Sequence, residues 1–205
     1  MRRHSLLEIL IVYTVLEAAL WTRGHMQFFW IVVTAICVGI MTVRGGRSAA
    51  GLGLSNPRQG SARIVVAGIA GAIVVLVAGW AAGTLHPPQG RHSPVVGFLI
   101  YLVFTFSQEF VLQSVFLVRL ETIIPSGRGA VLAAALLFSL AHFPNLALLI
   151  ATFIGGLVFC EAFRRYRNLY PIWFAHLVLG LSVAAALPDS LTHQMKVGVA
   201  YLTYR

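Results

Sequence analysis

Seven apolar runs, each about long enough to cross a bilayer, follow one another along the chain and leave little sequence for anything else. They fall at Leu6–Trp21, Met26–Val43, Ala62–Gly83, Val95–Ile123, Gly129–Phe143, Leu146–Phe163 and Leu169–Leu187. A hydrocarbon core of about 30 Å takes about 20 apolar residues as a helix. Lipid offers the backbone no hydrogen-bonding partners, so such runs fold as helices. The expected fold is all-α: a polytopic membrane helical bundle of about seven transmembrane helices, forming a single integral membrane domain over residues 1–205. Composition agrees, since 59% of the residues are hydrophobic and 10% are charged, against about 25% charged in a soluble domain.

The net charge is +9, from fifteen Lys+Arg against six Asp+Glu. Nearly all the arginines stand at the ends of apolar runs, which is how a membrane protein sets its orientation and not how a nucleic-acid-binding stripe is built. No nucleic-acid partner is expected. With the N-terminus in the cytoplasm, Arg2, Arg3, Arg44, Arg47, Arg58, Arg63, Arg128, Arg164, Arg165 and Arg167 fall on the inner side, leaving Arg23, Arg91, Lys196 and Arg205 outside. The first run begins like a secretory signal, but Glu8 and Glu17 interrupt it and it lacks a clean cleavage site, so it reads as the first membrane helix. The Gly-, Ser- and Arg-rich stretch 44–63 is expected on the inner surface near anionic headgroups, and the Pro-rich stretch 84–94 as an outer connection. Cys37 and Cys160 lack the spacing of a disulfide framework or zinc site and read as small apolar fillers.

Glu109 is the acid that demands an explanation. It sits in the middle of FTFSQEFVLQSVF, in a run of about 29 residues that as a helix would measure about 43 Å, and a carboxylate at bilayer depth costs about 2.5 to 3.5 kcal/mol. As a helix, the run would place Glu109, Gln113, Phe116 and Leu120 on one stripe, with Gln108 about 100° around. His142 and His176, on two other runs, are the strongly polar downstream candidates to meet Glu109. One carboxylate and two imidazoles from three helices could handle a proton. They could also ligate a metal, or form a hydrogen-bonded knot that fixes helix packing.

Taken together, Gln108–Gln113, Phe138-x-x-x-His142, the Gly155–Gly156 pair and Arg167–His176 (RNLYPIWFAH) resemble the CPBP family of intramembrane proteases, which includes the CAAX prenyl endopeptidases and bacteriocin-processing and immunity (Abi-like) proteins. The likeness covers about Val95 to Leu181, within a protease-like core at about 95–187. It implies about eight helices around a cavity and a glutamic-type endopeptidase without cofactor or tightly bound metal. Its partners would be the lipid bilayer and a membrane-anchored or lipidated protein or peptide, from which a C-terminal sorting or anchor segment is removed. The implied location is the inner (cytoplasmic) membrane of a bacterium. The catalytic residues would be Glu109, His142 and His176: the glutamate and first histidine activate water, while the second histidine, with an Asn or Asp four residues on, holds the oxyanion.

Three positions depart from the family pattern. Its Glu-Glu-x-x-x-Arg is here Gln108-Glu109-x-x-x-Gln113, and Gly180 stands where the third motif has Asn or Asp. Two glutamates and an arginine sum to −1, as does Glu109 alone, so Glu109 is expected to take the base role. Gln108 could equally be a substitution that leaves substrate uncleaved. Gln108 and Gln113 are possible supporting residues, and so is Asn145, which reads either as an oxyanion donor or as a helix N-cap. The alternative function is a catalytically silent relative that binds a membrane helix or peptide, as an immunity or chaperone-like factor does.

The remaining polar residues have simpler readings. Arg119 and Glu121 are expected to lie at the membrane edge, and Glu161 to pair with Arg164 and Arg165. Glu17 has no assigned partner. His4, His25, His86, His92 and His193 are expected to be solvated, and Trp21, Trp30, Trp80 and Trp173 to form interfacial belts.

Overall fold

The computed structural model describes residues 2–87 and 93–203, so Arg91, His92 and Arg205 lie outside the described residues. Seven main helices follow the order of the apolar runs: α1 Arg2–Leu20, α2 Gly24–Arg44, α3 Ser61–Ala81, α4 Pro94–Ile123, α5 Gly127–Leu140, α6 Leu146–Tyr166 and α7 Leu169–Ala186. Two short helices, α8 Asp189–Thr192 and α9 Gly198–Leu202, complete the C-terminal segment. Among the described residues there is no strand. The fold is a polytopic helical bundle, and its apolar helices make the chain an integral multi-pass membrane protein.

Side-chain caps begin three of the helices. Ser126 Oγ accepts from Gly129 N at 3.3 Å, Asn145 Oδ1 from Leu148 N at 3.2 Å, and Asn168 Oδ1 from Tyr170 N at 3.3 Å. Each cap satisfies one of the backbone N–H groups that a helix start leaves without an intrahelical partner.

Five of the seven, α2, α3, α4, α6 and α7, are long and apolar enough to cross a membrane. The other two depart from expectation for separate reasons. Helix α1 carries Arg2, Arg3, Glu8 and Glu17 within 19 residues. Helix α5 ends at Leu140 after 14 residues, so it rises about 21 Å, short of a hydrocarbon core of about 30 Å. The turn after it, which carries His142, is tied to the C-terminal segment by hydrogen bonds. Gly198 N donates to the Phe143 carbonyl at 3.0 Å, and Asn145 Nδ2 donates to the carbonyls of Thr192 at 2.7 Å and Lys196 at 3.0 Å.

Helices α3 and α7 run parallel and approach closely through small residues. A Cβ on Gly68 would stand 2.7 Å from Ala175 Cβ, and one on Gly79 would stand 2.6 Å from Ala186 Cβ. In lipid, where apolar surface alone does not drive helices together, such contacts supply the association energy. This face holds His176 in place, because Ala175 is its neighbour in sequence.

Helix α4 is not a regular α-helix. From Phe110 to Leu117 it widens into a π-helix, beginning directly after Glu109. All six residues from Leu112 to Leu117 are buried, because α2, α5, α6 and the 45–60 connection surround this stretch. The single stripe expected of Glu109, Gln113, Phe116 and Leu120 is thereby replaced by burial on every side. Single-turn π segments inside α-helices occur frequently at functional sites.

The 45–60 connection also differs from expectation. Rather than resting on the surface, its middle is drawn into the bundle. Ser114 Oγ donates to the Leu52 carbonyl at 2.9 Å, Leu169 N to Gly53 O at 2.9 Å, Tyr170 Oη to Leu54 O at 3.2 Å and Asn168 Nδ2 to Gln59 O at 2.9 Å. Gly53 adopts φ +75°, and a Cβ there would press on the Phe163 ring, so both the conformation and the space require glycine.

Several charged and aromatic residues find partners that sequence reading missed. Arg119, which is 2% exposed, pairs with Glu8 and donates to the Met41 carbonyl, while Glu121 pairs with Arg167. Neither is a loose charge at a membrane edge. Glu161 pairs with Arg164 and Arg165 as expected, and Glu17 accepts from the Trp21 indole. His193 stacks against Tyr201, with ring centres 4.2 Å apart. His86 Nε2 lies 2.9 Å from the Leu187 carbonyl, and that backbone bond holds its pKa above the ordinary value. His4 and His25 are exposed, though each lies within a helix. Cys160 is buried and Cys37 half-buried, both as free thiols.

Candidate active site

The structure brings Glu109 together with one of its two expected histidine partners, His176, and with Gln113. Its carboxyl is completely buried; Oε1 lies 2.7 Å from His176 Nδ1, and Oε2 accepts from Gln113 Nε2 at 3.0 Å. Each carboxyl oxygen thus has one hydrogen-bond partner, as a buried polar group requires. Gln113, at the position of the family's arginine, leaves its own Oε1 buried without a hydrogen bond.

His176 comes from the second turn of α7, with only 14% of its side chain exposed. It is flanked by Phe159, whose ring stacks on it at 6.0 Å, and by Phe138, whose ring meets it edge-on at 6.0 Å. These rings hold the imidazole plane while Glu109 fixes its Nδ1.

His142 reaches the same place from the α5–α6 turn. Its ring meets Phe138 edge-on at 4.9 Å, so Phe138 is in contact with both histidines. His142 does not touch Glu109 directly. Its Nδ1 lies 2.8 Å from the Phe138 carbonyl, and a carbonyl can only accept, so Nδ1 carries the proton. In the neutral ring, Nε2 is left as the free lone pair. Among the described residues, no three His, Cys, Asp or Glu side chains gather as a metal-binding group.

Asn145 is fully buried and both ends of its amide are engaged: Oδ1 caps α6 and Nδ2 ties down the C-terminal segment. Of its two sequence readings, these contacts describe the cap. Asn145→Ala is expected to lower folded yield and turnover together. A lost cap costs about 1 kcal/mol, and unpaired buried carbonyls add about 1–3 kcal/mol. Thermal melting beside a turnover assay checks this, and loss of turnover with unchanged melting would contradict it. Gln108 is half-buried, and its side chain makes no hydrogen bond among the described residues.

Trp173, expected in an interfacial belt, belongs instead to the site's frame. Its indole donates to the Leu102 carbonyl at 3.0 Å and to Thr105 Oγ1 at 3.2 Å, fastening α7 to α4 beside the Glu109–His176 pair. Asn168 was also missed. It is buried, and it ties the start of α7 to Gln59 and Ser61; its place directly before an apolar run was the available signal.

The family model described as type II CAAX prenyl endopeptidase Rce1-like matches residues 90–182. Over that segment the chain is similar to this protease family, which supports a CPBP-type intramembrane protease. The match covers a little under half of the 205 residues, and takes in Glu109, His142 and His176. No curated protein and no solved structure shows a significant match to the chain. Set against the CPBP pattern, the chain keeps one carboxylate of the acidic doublet and both histidines. The retained carboxylate is the one that faces His176.

Proposed function

We propose that this protein is a glutamic-type intramembrane endopeptidase that cleaves a membrane-anchored or lipidated protein, removing a segment near one end of its anchor. The observation that carries the reading is the buried Glu109 carboxylate, held by His176 and Gln113, in a chain whose matched family is a protease family. A carboxylate so held is poised to take a proton from water.

In the proposed reaction, water attacks the scissile carbonyl carbon as one of its protons passes to Glu109. The carbonyl π pair moves onto oxygen, and the neutral Nε2 of His142 accepts from the attacking water and steers it. The tetrahedral intermediate then collapses: the oxygen lone pair re-forms the carbonyl and the C–N bond breaks. The leaving nitrogen takes the proton back from Glu109, giving one carboxylic acid and one amine. His176, fixed by Glu109, orients the carboxylate throughout.

The distribution of arginines supports an N-terminus in the cytoplasm of a bacterium's inner membrane. The test is cleavage of membrane-anchored reporters by the purified protein in proteoliposomes, read by mass spectrometry of the fragments. A defined cut near one end of the anchor is expected. Tight binding of reporters without any cut would overturn the hydrolase reading in favour of a silent peptide-binding relative.

A further inference from the structure

The face of α4 that carries Glu109 continues toward the start of the helix through Thr105 and Tyr101, spaced i, i+4 and i+8. Facing them on α7 are Trp173, His176 and Gly180. Thr105 is fully buried and accepts from the Trp173 indole. Tyr101 is half-buried, and its hydroxyl makes no hydrogen bond among the described residues. It rests directly against Gly180: a Cβ built on that glycine would overlap Tyr101 Oη and stand 3.1 Å from Cζ. The phenol therefore occupies the space that any side chain at position 180 would fill.

Gly180 lies one turn beyond His176, so the hydroxyl and the imidazole are separated by about 5–6 Å along the helix. A carbonyl oxygen that accepts from the hydroxyl would lie beside the imidazole. Nearly every other side-chain donor around the Glu109–His176 pair is already engaged. Gln113 Nε2 donates to Glu109, Trp173 Nε1 to Leu102 and Thr105, Asn145 Nδ2 to Thr192 and Lys196, and Ser139 Oγ to Leu149. Gln108 is not engaged, but it lies about 100° around α4 from Glu109, off this face.

We propose that the Tyr101 hydroxyl is the donor that holds the scissile carbonyl oxygen as it becomes an oxyanion, with Gly180 small so that the phenol can reach that position. This rests on the hydrolase reading above. It makes Tyr101 and Gly180 a matched pair, and accounts for why glycine follows His176 at this spacing. As the carbonyl π pair moves onto oxygen, the phenol O–H donates to that oxygen without giving up its proton, an interaction stronger in the transition state than in the ground state.

The test uses the full-length protein in proteoliposomes with a membrane-anchored reporter that the wild type cuts. Tyr101→Phe is expected to lower kcat about 100-fold, as loss of one oxyanion donor does, with KM and melting little changed. Gly180→Ala, which displaces the hydroxyl, is expected to lower kcat comparably. The double variant Tyr101→Ala, Gly180→Asn places an amide in the vacated space and is expected to exceed Tyr101→Ala alone by about tenfold. Wild-type kcat in Tyr101→Phe, beside loss of turnover in Glu109→Gln, would overturn this proposal and leave the hydrolase reading standing. A Tyr101→Phe variant whose melting falls as far as its kcat would also overturn it, because the hydroxyl would then be structural.

Discussion

Glu109→Gln is expected to lower turnover about 10³-fold, within the range a positioned general base contributes, while the protein remains folded. The amide is nearly isosteric with the carboxylate but takes up no proton, and its NH2 faces one of the two donors that now point at the acid. The lost hydrogen bond is expected to cost about 1–2 kcal/mol of stability, readable as a small fall in melting temperature. His176→Ala should behave differently. It removes a partner from a carboxylate with no solvent exposure, leaving a buried charge short of one donor, a loss worth about 3–5 kcal/mol. Activity and folded yield should then fall together. Comparing the two variants separates a chemical role for Glu109 from its share in holding α4 to α7. Equal melting losses and equal turnover losses in both would assign the pair to packing alone.

The second large effect is expected far from any catalytic atom. Gly68→Leu places a branched side chain where even a Cβ would stand 2.7 Å from Ala175 Cβ. Overpacking of a close contact costs about 1–3 kcal/mol, occasionally more, and α3 and α7 also meet tightly at Gly79 and Ala186. The protein is expected to lose most of its folded yield. In whatever fraction folds, α7 is pushed outward and His176 moves with it. A misplacement of about 1 Å at the reacting groups costs about 10²-fold in rate. Gly39→Leu is the control, since Gly39 has nothing within 4 Å of its Cβ position. Retention of both yield and rate in Gly68→Leu would show that the α3–α7 contact does not position the histidine.

The sequence made legible whatever depends on hydrophobic run length and on rare polar residues in apolar surroundings. The order of the seven helices follows from the apolar runs, and Glu109 stood out because an acid at that depth has to be explained. The ion pair of Glu161 with Arg164 and Arg165 was readable because it lies within one helix turn. Pairing across the chain was not. Arg119 and Glu8 are 111 positions apart, and nothing local distinguishes that arginine from an interfacial one.

The π-helical stretch was hidden because its eight residues, Phe110–Leu117, contain no Gly or Pro to mark a break, and side-chain identity does not encode the widened backbone register. The 45–60 connection looked like surface by composition, yet its glycines and carbonyls are what let it enter the bundle. Gly180 read as the loss of a side chain. Only the position of Tyr101 shows that the space is filled from another helix.

Hydrolysis here depends on one buried carboxylate activating water. The most direct test is to incubate wild type and Glu109→Gln with a membrane-anchored reporter in 18O-labelled water and weigh the fragments. Wild-type fragments are expected to carry one 18O in the newly formed carboxyl group, and Glu109→Gln to release no fragments above background. Fragments released at equal rates by both proteins would contradict that dependence.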